Sequence, residues 1–358
     1  MTLNRLLLTR FRNHHETRLD ETARFNLLVG ENGAGKTNVL EAISLFAPGR
    51  GLRRAALPDM AEKGGAGSFA VSAELLGGGV QLGTGTLAER PSRRVVQVNG
   101  AETSANSLSE WLAIGWLTPA MDRLFAEGPS ARRRFLDRLV LALEPGHARN
   151  AARLDNALRE RNRLLGETYE PDPSWFAAIE AQIAEAGALV AQARARLIER
   201  LSASLDALPD APFARPSLTY QPGGPLEVDE LAHALAEGRR RDRAAQRTLT
   251  GPHRDELAVA MHSKDQPAAD CSTGEQKAML IAITLAHAGL LSPDRPGLLL
   301  LDEVAAHLDP LRREALFEQL RESGAQVWLT GTEVAPFEAI ESEAAVWRVS
   351  DGAVARLS

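Results

Sequence analysis

Cysteine is almost missing from this chain. Cys271 stands alone among 358 residues, so no internal disulfide can form, and a reducing compartment is the expected setting. Long apolar runs are missing too, since none approaches the ~20 residues that a membrane span needs. Leu6, Leu7 and Leu8 sit between Arg5 and Arg10 and are too short a run for a secretory signal core, so the expected location is the cytosol. An excess of positive charge is also lacking. The net charge is -6 and the pI about 5.8, which argues against a uniformly basic nucleic-acid coat but leaves local charge free to differ. With 44% hydrophobic residues no disorder class applies. The length allows two domains or one elaborated domain.

What the chain does contain is organised around residues 25–37. An apolar run ending at Val29 predicts a buried strand, and the spacing of Thr37, Leu40, Ala42, Ile43 and Phe46 predicts a helix behind it. Between them Gly30, Glu31, Asn32, Gly33, Ala34, Gly35, Lys36 and Thr37 form Gly-x-x-x-x-Gly-Lys-Thr. Triphosphate needs a concave run of backbone N–H groups. The glycines free the backbone, the helix N-terminus adds partial positive charge, Lys36 reaches the terminal phosphates and Thr37 offers a hydroxyl to Mg²⁺.

Around this loop the pattern predicts strands at 3–11 and 24–29 joined by a polar turn at 12–16, then alternating strands at 68–76, 80–87 and 93–98. Helices take over from about residue 107. Ser130 is the expected N-cap of the first, residues 147–165 form an arginine-rich second, and apolar spacings of three and four predict one long helix over 174–208. That helix is either half of an antiparallel coiled-coil arm or part of a packed subdomain. A Pro/Gly-rich piece at 209–225 and a helix ending in Arg239, Arg240, Arg241 and Arg243 follow, and strand character returns near 257–261, where the interrupted α/β core is expected to resume.

Two further segments bear on the loop. Ser272 and Gly274 open an amphipathic helix, another anion-binding end but an ordinary cap signal by itself. Leu298 to Leu301 then form an apolar strand ending in Asp302 and Glu303. A carboxylate at such an edge holds Mg²⁺ or its water in P-loop NTPases, and the next one can polarise an attacking water. An acidic doublet there is costly without a metal or donors.

Together these segments resemble the ABC-type ATPases, with Walker A at 30–37, a signature loop at 272–276, Walker B at 298–302 followed by Glu303, and a D-loop at 306–309 ending in Asp309. The resemblance implies an α/β fold, an ABC-type ATPase head whose P-loop core and antiparallel sheet carry an inserted helical or short coiled-coil subdomain. The implied divisions are 1–106, 107–247 and 248–358. It implies ATP and Mg²⁺ as cofactors, with Lys36, Thr37 and Asp302 holding them, Glu303 orienting water, and Ser272 and Gly274 contacting ATP across a head-to-tail homodimer. Within this SMC-like superfamily the chain is similar to the RecF family at Leu8-Thr-Arg-Phe-Arg12-Asn13 and at residues 49–53, 128–137 and 249–255. That similarity implies ATP-dependent binding at single-strand/double-strand DNA junctions, with RecR and RecO as partners in loading RecA at gaps.

Two positions depart from the ABC pattern. Thr330-Gly331-Thr332 stands where a switch histidine is usual, and Trp116 to Pro119 stand where a Q-loop glutamine is usual. Both changes predict slow hydrolysis that times dimer dissociation. For DNA the candidates are Arg50, Arg53, Arg54, Arg132, Arg133, Arg239 and Arg240. Residues 130–165 carry nine arginines against four acids, a run that is either a solvated helix face or a phosphate-tracking surface. The ATPase subunit of a membrane transporter is the rival reading. It fits poorly, because far more sequence separates Lys36 from Ser272 than one compact subdomain supplies.

Overall fold

Leu3, Leu6, Leu8 and Phe11 are fully buried along β1 (Thr2–Phe11), an alternation offset by a register shift between Leu3 and Arg5 and by a left-handed Arg10 (φ 52°). The computed structural model describes residues 2–168, 172–291, 295–305 and 308–358. The polar segment after β1 is shorter than its composition suggests. Phe11 pairs directly with His14, so Arg12 and Asn13 alone make the turn, and β2 (His14–Leu19) follows with His14, Thr17 and Leu19 buried. Polar side chains hid this strand because two of its inward positions are hydrogen-bonding residues.

The chain divides into two compact units, residues 1–122 with 284–358, and residues 123–283. The first holds two six-stranded sheets. One is antiparallel, in the order β2-β1-β4-β5-β6-β7, and adds β4 (Ala70–Leu76), β5 (Val80–Leu87), β6 (Arg90–Val98) and β7 (Ala101–Glu102). The other runs β15-β14-β3-β13-β12-β8, from β3 (Phe25–Val29), β8 (Ala113–Leu117), β12 (Gly297–Leu301), β13 (Gln326–Gly331), β14 (Ala344–Ser350) and β15 (Ala353–Arg356). All its pairings are parallel except that of the edge strand β15.

The strands β3, β12 and β13 are buried almost without a break, Asn26, Gln326 and Thr330 included, because both faces of a parallel sheet are covered. Helix α1 (Lys36–Ser44) joins both sheets in one core, with Val39, Leu40 and Ile43 beside Leu6, Leu300 and Trp328. Short α2 (Leu57–Met60), α8 (Pro310–Glu322) and α9 (Glu338–Glu341) complete this unit.

In the second unit α3 (Pro129–Leu143) starts at Pro129 with Gly128 as N-cap. Ser130 therefore lies inside the first turn, because proline's fixed φ suits the first helical position. Helix α4 (His147–Leu165) is followed by α5 (Pro173–Asp206), 34 residues and so ~50 Å long. Helix α5 buries Ile183, Ala184, Ala186 and Val190 against Leu154 and Leu158 of α4 and Leu231 and Leu235 of α6 (Val228–Ala245). Its alanines and Gly187 allow that close approach on more than one side, making α5 the packed axis of the unit.

The Pro/Gly-rich piece conceals β9 (Pro216–Gln221). It pairs with β10 (Glu256–Met261), which also pairs with β11 (Gln266–Pro267). Strand β10 thus belongs to a separate three-stranded sheet and does not resume the parallel one. Helix α7 (Thr273–Gly289) contains the division between the units.

Candidate nucleotide-binding site

Strand order decides what meets at the glycine-rich loop. Strands β3 and β12 flank β13, and all three run parallel, so residues just past their C-terminal ends share one edge of the sheet. The loop leaves β3, Asp302 leaves β12, and Thr330 lies near the end of β13. Thr37 Oγ1 donates to Asp302 at 2.9 Å (Oδ1) and 3.1 Å (Oδ2), although 265 positions separate them.

Loop geometry explains the glycines. Gly33 and Gly35 have φ of 85° and 118°, the left-handed region that side chains resist. A Cβ on Gly33 would meet nothing within 4 Å, so that side of the loop is open, whereas one on Gly35 would lie 2.8 Å from Asn13 and His14. Lys36 is 4% exposed, and its Nζ donates to the carbonyls of Gly30 (2.7 Å) and Glu31 (2.9 Å). Among the described residues no carboxylate pairs with it. A buried ammonium without a counter-ion, beside an open glycine cradle at a helix N-terminus, fits an anionic phosphate chain.

Asp302 is 6% exposed and accepts from two hydroxyls, those of Thr37 and Thr330 (2.8 Å). Burial pushes its carboxyl above the ordinary range. The two hydroxyls and Arg53 pull the other way, and the neighbouring Glu303 adds to the rise. Thr330 Oγ1 also accepts from the Glu303 amide at 2.9 Å, holding Glu303 at a φ of 55°. On the other flank the Asp302 amide donates to the Leu117 carbonyl at the end of β8 (2.9 Å), so the segment after β8 runs beside the end of β12.

A second network braces the first turn of α1. Arg12 grips the fully buried Glu41 with Nε (2.9 Å) and Nη2 (2.6 Å). Arg53 donates to Glu41 (2.9 Å) and to Asn38 (2.5 Å). Asn38 donates to Asn13 (2.7 Å), and Asn13 to the Ala34 carbonyl (2.9 Å). Arg53, a DNA candidate by sequence, is thus engaged with α1, and its charge also lowers the Asp302 carboxyl slightly against the effect of burial. Neither Asn13 nor Glu41 carried a sequence signal of its role. His14 at the loop's underside was visible only as part of a polar turn.

The structure brings Gly30, Lys36, Thr37, Asp302 and Glu303 together in the first unit, and Ser272 and Gly274 belong to the second. Ser272 forms a capping box with Glu275. Its amide (2.9 Å) and hydroxyl (2.8 Å) donate to the Glu275 carboxylate, which Lys264 also holds at 2.5 Å. These contacts draw Glu275 down to about 2, and Ser272 and Gly274 stay exposed at the helix tip. In the D-loop, Ala306 and His307 lie outside the described residues. Asp309 caps α8 by accepting from the Arg312 amide at 3.0 Å.

The remaining arginines divide. Arg50, Arg54 and Arg240 are exposed. Arg132 holds Glu256 through two bonds (2.7 and 2.8 Å), Arg133 donates to the Asp255 carbonyl (2.9 Å), and Arg239 pairs with Glu180 (2.6 Å). The arginine run of α3 and α4 thus includes interior pairs as well as surface charge. Arg161 is fully buried between Glu180 and Asp242.

A family model described as the RecF/RecN/SMC N terminal domain matches residues 2–354. A DNA replication and repair protein RecF of Mesorhizobium japonicum is 48% identical, covering 98% of this chain and 97% of that protein. The chain belongs to the RecF family. RecF proteins of Rhizobium meliloti (47% identical, 98% of both chains) and Brucella suis (45%, 98% of this chain and 95% of that one) are similar over the same extent.

Among solved structures, one described as "Structure of the recombination mediator protein RecF-ATPrS in RecFOR pathway" superposes with a TM-score of 0.86 at 23% identity, over 99% of this chain and 98% of that one. An SMC head bound to the C-winged helix domain of ScpA gives 0.53 at 15%, over 100% and 98%. Both likenesses concern the fold, which is that of RecF and SMC ATPase heads. No helix among the described residues is long and apolar enough to cross a membrane, and RecF-family membership does not favour the transporter reading.

Proposed function

We propose that this chain acts in DNA replication and repair, as its RecF relatives are named to do, and that it is a DNA-binding protein controlled by ATP. The carrying observation is the Thr37–Asp302 contact next to a buried Lys36 that only backbone carbonyls, and no carboxylate among the described residues, receive. A hydroxyl and a carboxylate at that edge, with a lysine, a glycine loop open at Gly33 and a helix N-terminus alongside, are a donor set suited to a metal-bound triphosphate. Thr37 and Asp302 would hold Mg²⁺, which would supply charge neutralisation at the phosphates. Lys36 neutralises the terminal phosphates, and Arg53, held on α1 by Glu41 and Asn38, is better disposed toward that anion than toward DNA.

Glu303 is the residue to orient water. Thr330 satisfies Asp302 and the Glu303 amide but offers no imidazole for the γ-phosphate, and residues 116–119 offer no glutamine. Slow hydrolysis follows, with ATP acting as a timed clamp between two copies, the exposed Ser272 and Gly274 end of one closing the glycine cradle of the other. The solved RecF structures described with ATP and an ATP analogue support nucleotide binding. Single-strand/double-strand junctions as target, and RecR, RecO and RecA as associates, come from the family resemblance, with Arg50, Arg54 and Arg240 the DNA candidates left exposed.

Lys36→Ala should abolish nucleotide-dependent dimerisation, read by light scattering, and Glu303→Gln should keep the dimer while stopping turnover. A wild-type protein that stays monomeric with saturating MgATP and gapped duplex would sink the clamp. Gapped-duplex affinity measured across a salt series with and without ATP would count the phosphates engaged.

A further inference from the structure

We infer that His14 is a positioning residue for nucleotide binding, tethering the underside of the glycine-rich loop to two hairpin turns. Its ring is fully buried where the β1–β2 turn, the loop and the β14–β15 turn meet. Nε2 faces the Gly35 carbonyl at 3.1 Å, and Nδ1 faces Thr17 Oγ1 at 2.9 Å. Thr17 Oγ1 donates to the Gly352 carbonyl (2.9 Å), and the Gly352 amide donates to the Ala34 carbonyl (2.9 Å), which also receives Asn13 Nδ2.

The last two loop residues before Lys36 thus have their carbonyls held from below. A carbonyl fixed on one side of a peptide fixes the following N–H on the other, and those N–H groups are the part of the loop that binds phosphate. The inference rests on the nucleotide reading above.

Hydrogen accounting makes the tether chemically specific. Thr17 has one hydroxyl hydrogen, spent on Gly352, so Nδ1 must donate to Thr17. Nε2 also faces an acceptor, yet a neutral imidazole has only one N–H. The neutral network is one hydrogen short, and an imidazolium fills it. Burial pulls the ring below its ordinary value, and the carbonyls of Gly35 and Gly352 oppose that.

The charged and titratable groups on the surrounding elements are Arg5, Arg10, Arg12, His15, Glu16 and Arg18 in its own hairpin, Glu31 of the loop, Lys36 and Glu41 of α1, and Arg348, Asp351 and Arg356 of β14, β15 and the turn between them. Lys36 is turned onto Gly30 and Glu31, Arg12 and Glu41 hold each other, and Glu16 and Asp351 are exposed. None of these is among the causes acting on the ring, and His15 is exposed and faces Glu62. Tightening should therefore accompany protonation of His14 itself.

The test is the affinity of the full chain for ATPγS with Mg²⁺, measured by titration over about pH 5.5 to 8. His14→Leu should weaken binding about tenfold, the worth of one buried hydrogen bond, while the melting curve stays cooperative. His14→Gln, whose amide reaches a similar distance with two N–H donors and no titration, should restore affinity and flatten the extra gain that wild type shows on acidification. The ligand's own titration is common to both proteins and cancels in the comparison.

His14→Leu or His14→Gln binding with wild-type affinity and wild-type pH slope would overturn the tether. Should His14→Leu fail to fold, the slope of His14→Gln against wild type decides alone. A wild type that binds no ATPγS overturns the nucleotide reading, and this inference with it, an outcome distinct from variants indistinguishable from a wild type that binds.

Discussion

Replacing Thr330 by valine removes one oxygen from a fully buried position and keeps the side-chain shape. Two consequences follow from the geometry. Asp302, nearly buried, loses one of its two hydroxyl donors, a bond to a charged acceptor worth about 1.5–3 kcal/mol. The Glu303 amide loses its acceptor, and with it the support for a left-handed backbone. Because that amide is only partly buried, water can recover some of the loss, so we expect about 2–4 kcal/mol in all. At 2–4 °C per kcal/mol for a unit of this size, Tm should fall by about 4–16 °C.

The loss should also depend on pH in a defined sense. The Asp302 carboxyl is already raised in the folded state, chiefly by burial. A raised carboxyl costs stability above its unfolded pKa, and that cost fades as pH falls through the folded value. Thr330→Val raises it further, so the deficit against wild type should be full near pH 7.5 and smaller near pH 5. Calorimetric melts at both pH values, with Thr330→Ser as the restoring control, make the measurement. A valine variant melting within about 1 °C of wild type at neutral pH would refute the claim that this hydroxyl supports Walker B.

Two further outcomes follow from the packing. Arg161→Met should cost the second unit about 3–5 kcal/mol in urea unfolding, because Glu180 and Asp242 are buried on either side of the guanidinium. Gly352→Ala should lower Tm and weaken nucleotide binding together. Its Cβ would lie 1.9 Å from the Asn13 carbonyl at a φ of 79°, and the turn that would have to move carries the bond to Ala34. An alanine variant with unchanged melting and affinity would show that the turn adapts freely.

Sequence alone determined the local chemistry of this protein. Gly30, Gly35, Lys36 and Thr37 are legible because a phosphate loop is built from consecutive residues. The strand before Asp302 and the long helix α5 are legible because burial imposes a period on neighbouring side chains. Tertiary structure decided everything that depends on strand order. That β13 lies between β3 and β12, placing Thr330 against both Asp302 and Glu303, is not a property of any segment.

The same holds for β9 inside a Pro/Gly-rich stretch, and for β2, where two of the inward positions are His14 and Thr17, whose polar atoms find partners only once Gly35 and Gly352 arrive. The arginine run shows why composition could not resolve such questions. A guanidinium can stand on a solvated surface or between two buried carboxylates, and only the position of Glu180, Asp242 and Glu256 in space assigns Arg161 to an interior cluster and Arg132 to a half-buried pair.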